Sequence, residues 1–155
     1  MSAEAIESWS AFATVLEWLP AALDAQLTKD AGLTHFEHGV LYALSTAPES
    51  TLRMSVLASY SNSTLSRLSR AATRLEGKGW LRRWPDPSDG RYTLATLTEA
   101  VVEKVSASSP DHIALVNRLV MDQLTAAQRK QLLVISRRIM TAIRDEPGWE
   151  PQAGT

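Results

Sequence analysis

The side chains best suited to chemistry with a partner lie in one short stretch of this 155-residue chain: Ser63, Thr64, Ser66, Arg67, Arg70 and Arg74. If the segment from Ser63 to about Lys78 is a helix, successive residues turn by about 100°. Ser63, Ser66, Arg67, Arg70 and Arg74 then share one stripe, and Leu65, Leu68, Ala72 and Leu75 share the opposite one. The apolar stripe must face a core. The other stripe carries hydroxyls and guanidiniums and no acid, whereas solvated helix faces normally mix both signs. That combination suits a major groove: hydroxyls reach phosphates or base edges, and Arg pairs bidentately with guanine. Glu76, the one acid of the segment, falls off the stripe. Asn62 or Ser63 is the expected N-cap.

A second cluster follows. Arg82 and Arg83 lead into a loop, Pro85-Asp86-Pro87-Ser88-Asp89-Gly90-Arg91, whose Pro, Asp and Gly set a turn. Asp89 and Arg91 flank Gly90. A carboxylate there can hold the guanidinium in a fixed pose for the narrower groove or a phosphate. Between Arg53 and Arg91 stand eight Lys/Arg and three Asp/Glu, so the stretch is net positive although the whole chain is −1. The acidic remainder discourages indiscriminate contact elsewhere.

Other chemistry finds little support. There is no cysteine, which excludes disulfides, Cys-ligated zinc and thiol redox sensing. His35 and His38 have a spacing that can bring two imidazoles to one metal. No third ligand is obvious, and a capping-turn or surface role is the simpler reading. No phosphate-cradling glycine loop, metal triad or nucleophile elbow appears, so neither an enzyme nor a cofactor is expected.

The elements that must position the two clusters are short. Met54 to Tyr60 reads as a helix, Ser61-Asn62 as a tight turn, and Ser63 to Lys78 as the longer helix, stopped by Gly79. Trp80–Trp84 and Tyr92–Leu97 read as a two-stranded ribbon, with Leu52-Arg53 pairing briefly as a third strand. Met54, Val56, Leu57 and Leu81 are expected beneath the longer helix. Helix, turn, helix and basic hairpin outline a winged helix-turn-helix.

These residues resemble the multiple-antibiotic-resistance regulator (MarR) family of bacterial transcription factors. The resemblance rests on Leu52-Arg53-Met54-Ser55-Val56-Leu57-Ala58, Ser63-Thr64-Leu65-Ser66-Arg67-Leu68, and Arg74-Leu75-Glu76-Gly77-Lys78-Gly79-Trp80-Leu81-Arg82-Arg83. Asp89-Gly90-Arg91 followed by Leu97-Thr98 completes the wing pattern. The turn between the two helices departs from the family by lacking a Gly. More weakly, the resemblance extends over about the whole chain. It implies a mainly α fold with a small β-wing: a DNA-binding lobe over residues 33–98, flanked by dimerisation helices over 6–30 and 99–146, in one domain of 1–155.

The flanking segments fit that frame. Residues 6–30 carry a broad apolar stripe, with a break or kink expected near Pro20. Thr34 and Glu37 form a capping box for a helix to about Thr46, and Thr125 with Gln128 forms another. Thr98 should cap a helix to about Asp122, with a kink or two abutting helices at Ser108-Ser109-Pro110. Pro147-Gly148 should end the last helix, and residues 150–155 should be disordered. No apolar run is long enough to cross a membrane, and the opening does not read as a secretion signal, so the cytoplasm is expected.

The implied function is a homodimeric regulator of transcription, a repressor in the simplest case, bound to a near-palindromic operator in double-stranded DNA. Ser63, Thr64, Ser66, Arg67, Arg70 and Arg74 would enter the major groove, Asp89 and Arg91 would act at the wing, and Arg82 or Arg83 would touch backbone. The resemblance also implies a small aromatic or phenolic effector, for which Trp9, Phe12, Trp18, Phe36, His38 and Tyr42 are the candidate contacts. The alternative is a winged-helix module for protein–protein contact without DNA binding.

Overall fold

Both anticipated capping boxes form. The Thr34 hydroxyl accepts from the Glu37 amide at 3.1 Å, and the Glu37 carboxylate accepts from the Thr34 amide at the same distance. Thr125 and Gln128 repeat the exchange at 2.9 and 3.2 Å. Each box satisfies amides that a helix start leaves unpaired. The computed structural model describes residues 1–146. The stop expected at Pro147-Gly148 and the tail from Glu150 lie outside the described residues.

The chain runs α1 (Ala3–Ala31), α2 (His35–Ser45), β1 (Thr51–Arg53), α3 (Met54–Tyr60), α4 (Leu65–Gly77), β2 (Leu81–Pro85), β3 (Thr93–Leu97), α5 (Glu99–Leu119) and α6 (Ala126–Arg144). The fold is mainly α with a small antiparallel sheet of order β1-β3-β2. In that sheet Leu94 of β3 lies between Arg53 and Trp84. No described helix is long and apolar enough to cross a membrane.

Neither proline splits its helix: α1 continues through Pro20, and α5 through Pro110. A proline inside a helix forfeits one backbone bond and crowds the carbonyl four residues earlier. In both helices several intact turns stand on either side and hold the ladder. α5 is also shorter than expected, ending at Leu119 before a 3₁₀ turn at Met121–Gln123.

The start of α4 differs from expectation. Asn62 takes φ +49°, the left-handed conformation that Gly adopts freely and Asn tolerates. The turn therefore closes without the glycine it lacks. The N-cap is Thr64, neither Asn62 nor Ser63, and its hydroxyl accepts from the Arg67 amide at 3.2 Å. Ser63 consequently sits in the turn rather than on the helix, only 6% exposed, with its hydroxyl donating to the Thr64 carbonyl at 3.1 Å. Leu65 falls in the first turn and is 53% exposed. The stripe that enters the core is Leu68, Ala71, Ala72 and Leu75. Gly79 at φ +72° turns the chain out of α4, and the Trp80 amide returns to the Leu75 carbonyl at 3.0 Å.

One core joins the end of α1, all of α2 to α4, the sheet and the start of α5. Leu27, Leu33, Leu41, Leu44, Leu57, Leu68 and Leu75 are fully buried in it. Met54, Leu57 and Leu81 pack where expected, whereas Val56 is exposed. The flanking helices differ sharply. α6 has no buried residue although Leu133, Val134, Ile135 and Ile139 lie on it, and Ile6, Val15, Leu16 and Trp18 are exposed on α1.

Candidate nucleic-acid interface

α4 presents the site because its apolar stripe is seated and its opposite side is not. Ser66 and Arg70 are exposed. The Arg67 guanidinium lies 4.1 Å from the centre of the Phe36 ring, which steers the side chain along the helix. Arg74 is 56% exposed, yet its Nε donates to Oε1 of Glu37 at 2.8 Å. Arg67, Arg70 and Arg74 form one wall of an open groove of about 920 Å³. Thr34, His35 and Phe36 at the start of α2, Pro20 and Asp24 of α1, and Tyr60, Ser61 and Asn62 supply the rest.

Arg82 and Arg83 have different surroundings, as alternation along a strand requires. Arg82 is exposed. Arg83 donates to Glu76 Oε2 through Nη2 at 2.6 Å and Nε at 3.0 Å, and its amide donates to Oε1 at 2.8 Å. Its other donors reach Ser69 Oγ at 3.1 Å and Thr73 Oγ1 at 2.9 Å. Arg83 therefore rivets the wing to α4. Its hydrogen bonds, before its charge, hold the Glu76 carboxyl below the usual range. The acid that looked incidental in the sequence is the anchor of that rivet.

At the wing tip the expected pair is in place. Arg91 donates to Asp89 through Nη2 at 2.7 Å and Nε at 3.0 Å, and its amide adds a third bond at 3.2 Å. These bonds lower the Asp89 carboxyl and raise the Arg91 guanidinium from their ordinary values.

Behind the tip lies a cross-link that the sequence reading missed. Asp86 accepts from the Ser88 hydroxyl at 2.6 Å, the Ser88 amide at 2.9 Å and Arg53 Nε at 2.7 Å. Ser88 first, then Arg53, brings the Asp86 carboxyl down to about 2. Arg53 also covers the Tyr92 ring at 4.4 Å. The signal was available: Asp with Ser two residues on is an Asx-turn pattern. Arg53 had no local partner to reveal it.

The six candidate effector contacts do not converge. Phe36 lines the groove, and the other five do not. Trp9 and Phe12 pair on exposed α1 at 6.4 Å, and Trp18 is exposed. Phe12 stands about 12 Å along the axis from Pro20, the first groove residue of α1, at the helical rise. His38 is buried and Tyr42 stacks on it at 6.5 Å. Among the described residues no three carboxylates or imidazoles are set to hold a metal ion.

With this geometry in hand, comparisons with known proteins are informative. The sequence model of the MarR family matches residues 31–91. The uncharacterized HTH-type transcriptional regulator YdcH of Bacillus subtilis (strain 168) is 32% identical over 101 residues, 64% of this chain and 66% of YdcH. Sco3205 of Streptomyces coelicolor, a MarR family transcriptional regulator solved in complex with DNA, is 36% identical, with a TM-score of 0.93 over 99% of this chain and 96% of its own. AbsC of the same organism, also a MarR family transcriptional regulator, is 29% identical, with a TM-score of 0.89 over 94% of this chain and 98% of its own.

Proposed function

The chain belongs to the MarR family of transcriptional regulators, and from that premise we propose how this DNA-binding regulator, which is not an enzyme, engages its operator. It acts as a homodimer on a near-palindromic site. Each protomer lays α4 in a major groove and its wing against the adjacent minor groove or backbone. Two such helices read half-sites about one helical turn apart, about 34–36 Å. Ser66, Arg67 and Arg70 reach base edges or phosphates, Arg74 contacts from its tether on Glu37, and Arg82 and Arg91 bind backbone.

The observation that carries this reading is the shared exposure of Ser66 and Arg70 on α4 beside the Asp89–Arg91 arm. The relative solved with DNA supports it. Ser63 is buried, Thr64 caps the helix and Arg83 is spent inside, so these three serve by positioning. α1, α5 and α6 supply the dimer surface, since α6 buries nothing within its own protomer.

The regulator is a repressor in the simplest case, working in the cytoplasm. Its groove holds a small aromatic or phenolic acid against Phe36, where the wall is made by α4 itself. An occupant that favours a lobe spacing unfit for DNA releases the operator in proportion to its differential affinity.

The test is fluorescence anisotropy on a labelled duplex from the region upstream of the protein's own gene. Affinity should fall steeply with salt, with a log–log slope of about −0.9 per phosphate contacted. A flat salt dependence, or no binding at low salt, would overturn the reading.

A further inference from the structure

All three histidines of the chain meet at one seam. His38 of α2 and His112 of α5 have ring centres 4.7 Å apart, and His35, one turn before His38, lies 5.3 Å from His112. His38 is 5% exposed and His112 is 8% exposed. Nε2 of His38 and Nδ1 of His112 are buried without a hydrogen-bond partner among the described residues. Buried polar atoms are nearly always paired, so two orphans on touching rings call for a reason.

The seam lies where α2 meets α5. α2 also packs on α1, α3, β1 and β3, and α5 also packs on α1.

Among the described residues no carboxylate pairs with the His38 or His112 ring. On α1, Asp24 accepts from the His35 backbone amide at 2.6 Å. On α2, Glu37 is engaged by Arg74, and the Tyr42 ring stacks on His38. On β1, Arg53 is held by Asp86, and β3 carries no charge. Tyr60 ends α3 and lines the groove. Asp111, beside His112 on α5, is exposed, as is Asp122 in the turn after it.

We propose that His38 and His112, with the His35 ring beside them, form a proton-operated latch: while the two are neutral they seat the DNA-binding lobe on α5, and their protonation in acid drives the seam apart and releases DNA. The release of DNA rests on the DNA-binding reading above; the opening of the seam does not. Two imidazolium rings in van der Waals contact repel, and burial strips the water that would screen them. A ring nitrogen that gains a proton here also gains a donor with no acceptor. Burial first, then His112 and His35, lowers His38 to about 4, and burial, then His35, lowers His112. The sign follows from linkage. A histidine lowered by folding stabilises the closed form above its ordinary value of 6.5, and that contribution is lost as pH falls toward 4.

The experiment uses the full chain at pH 7.5 and 5.0, with the parent compared to a His38→Gln, His112→Gln variant. Three readouts are taken: affinity for the upstream duplex, amide exchange across α2 and α5 corrected for intrinsic rate, and NMR titration of the histidine ring protons. In the parent, affinity should fall by about tenfold or more at the lower pH and exchange at the seam should rise, whereas the variant's affinity should change by less than about threefold. The His38 ring should titrate well below 6.5. A parent affinity that holds within about threefold, or a parallel loss in the variant, overturns DNA release by the latch. Rings that titrate normally with no added exchange overturn the latch itself. The last two readouts need only the parent, so they decide the matter even if the variant does not fold. Failure of the protein to bind the duplex at pH 7.5 would sink the DNA reading, while exchange and titration would still decide whether the seam opens.

Discussion

Nε of Arg74 lies 2.8 Å from Oε1 of Glu37, and the other Glu37 oxygen accepts from the Thr34 amide at 3.1 Å. One carboxylate, 4% exposed, thus closes the start of α2 and holds a side chain of α4. Thr34 and Arg74 both line the groove. A molecule bound there bears on α4 directly, at the wall formed by Arg67, Arg70 and Arg74, and also through this joint.

That joint has a measurable strength. Replacing Glu37 with Ala removes a capping acceptor and a charge-assisted bond, and should lower stability by about 2 kcal/mol after discounting for the exposed Arg74 end. Gln keeps the cap and should lose about 1 kcal/mol. Urea unfolding at neutral pH measures both. Equal losses for the two variants would show that the charge-assisted bond to Arg74 alone matters.

At the wing, Arg91→Ala should weaken binding to specific and nonspecific duplexes alike and make the salt slope shallower by about 0.9. Asp89→Ala leaves the guanidinium but frees it, and should weaken binding by less than Arg91→Ala does, through lost preorganisation. A change confined to one base position of the operator would contradict a backbone role for Arg91.

Neighbouring arginines on β2 should separate cleanly. Arg82→Ala should reduce DNA affinity and salt slope with little effect on thermal unfolding. Arg83→Ala breaks bonds to Glu76, Ser69 and Thr73, and should lower stability by about 1–3 kcal/mol. Thermal melts of both, set beside their anisotropy curves, would expose a reversal of these roles.

The unburied apolar residues of α6 predict assembly. Parent protein should run in solution at twice the 17.0 kDa of the chain. Ile135→Glu with Ile139→Glu should dissociate it, because charges placed in an apolar contact cannot be repaid. Light scattering that finds the parent monomeric would remove the paired-helix geometry.

Local signals in the sequence proved legible. Capping boxes, the Gly79 stop, the Asp89–Arg91 arm and the three-stranded sheet depend on residues close together or on strict alternation, and they appear as read. The start of α4 shifted because three consecutive residues, Asn62, Ser63 and Thr64, can each cap a helix, and the left-handed turn at Asn62 decides among them. Pro20 and Pro110 do not split their helices because a proline's cost is local while a long helix's ladder is not. The Glu37–Arg74, Glu76–Arg83 and Arg53–Asp86 pairs join different elements, and no periodicity encodes them. The meeting of His38 with His112 is likewise a product of packing.

The most direct test of the account is anisotropy of the Arg67→Ala, Arg70→Ala double variant on the upstream duplex, beside the parent and a thermal melt. With folding retained, we predict a loss of about 2 kcal/mol or more, about thirtyfold in affinity, and relaxed preference at the bases those side chains read. A folded variant that binds as tightly and as selectively as the parent would contradict the claim that this face of α4 reads DNA.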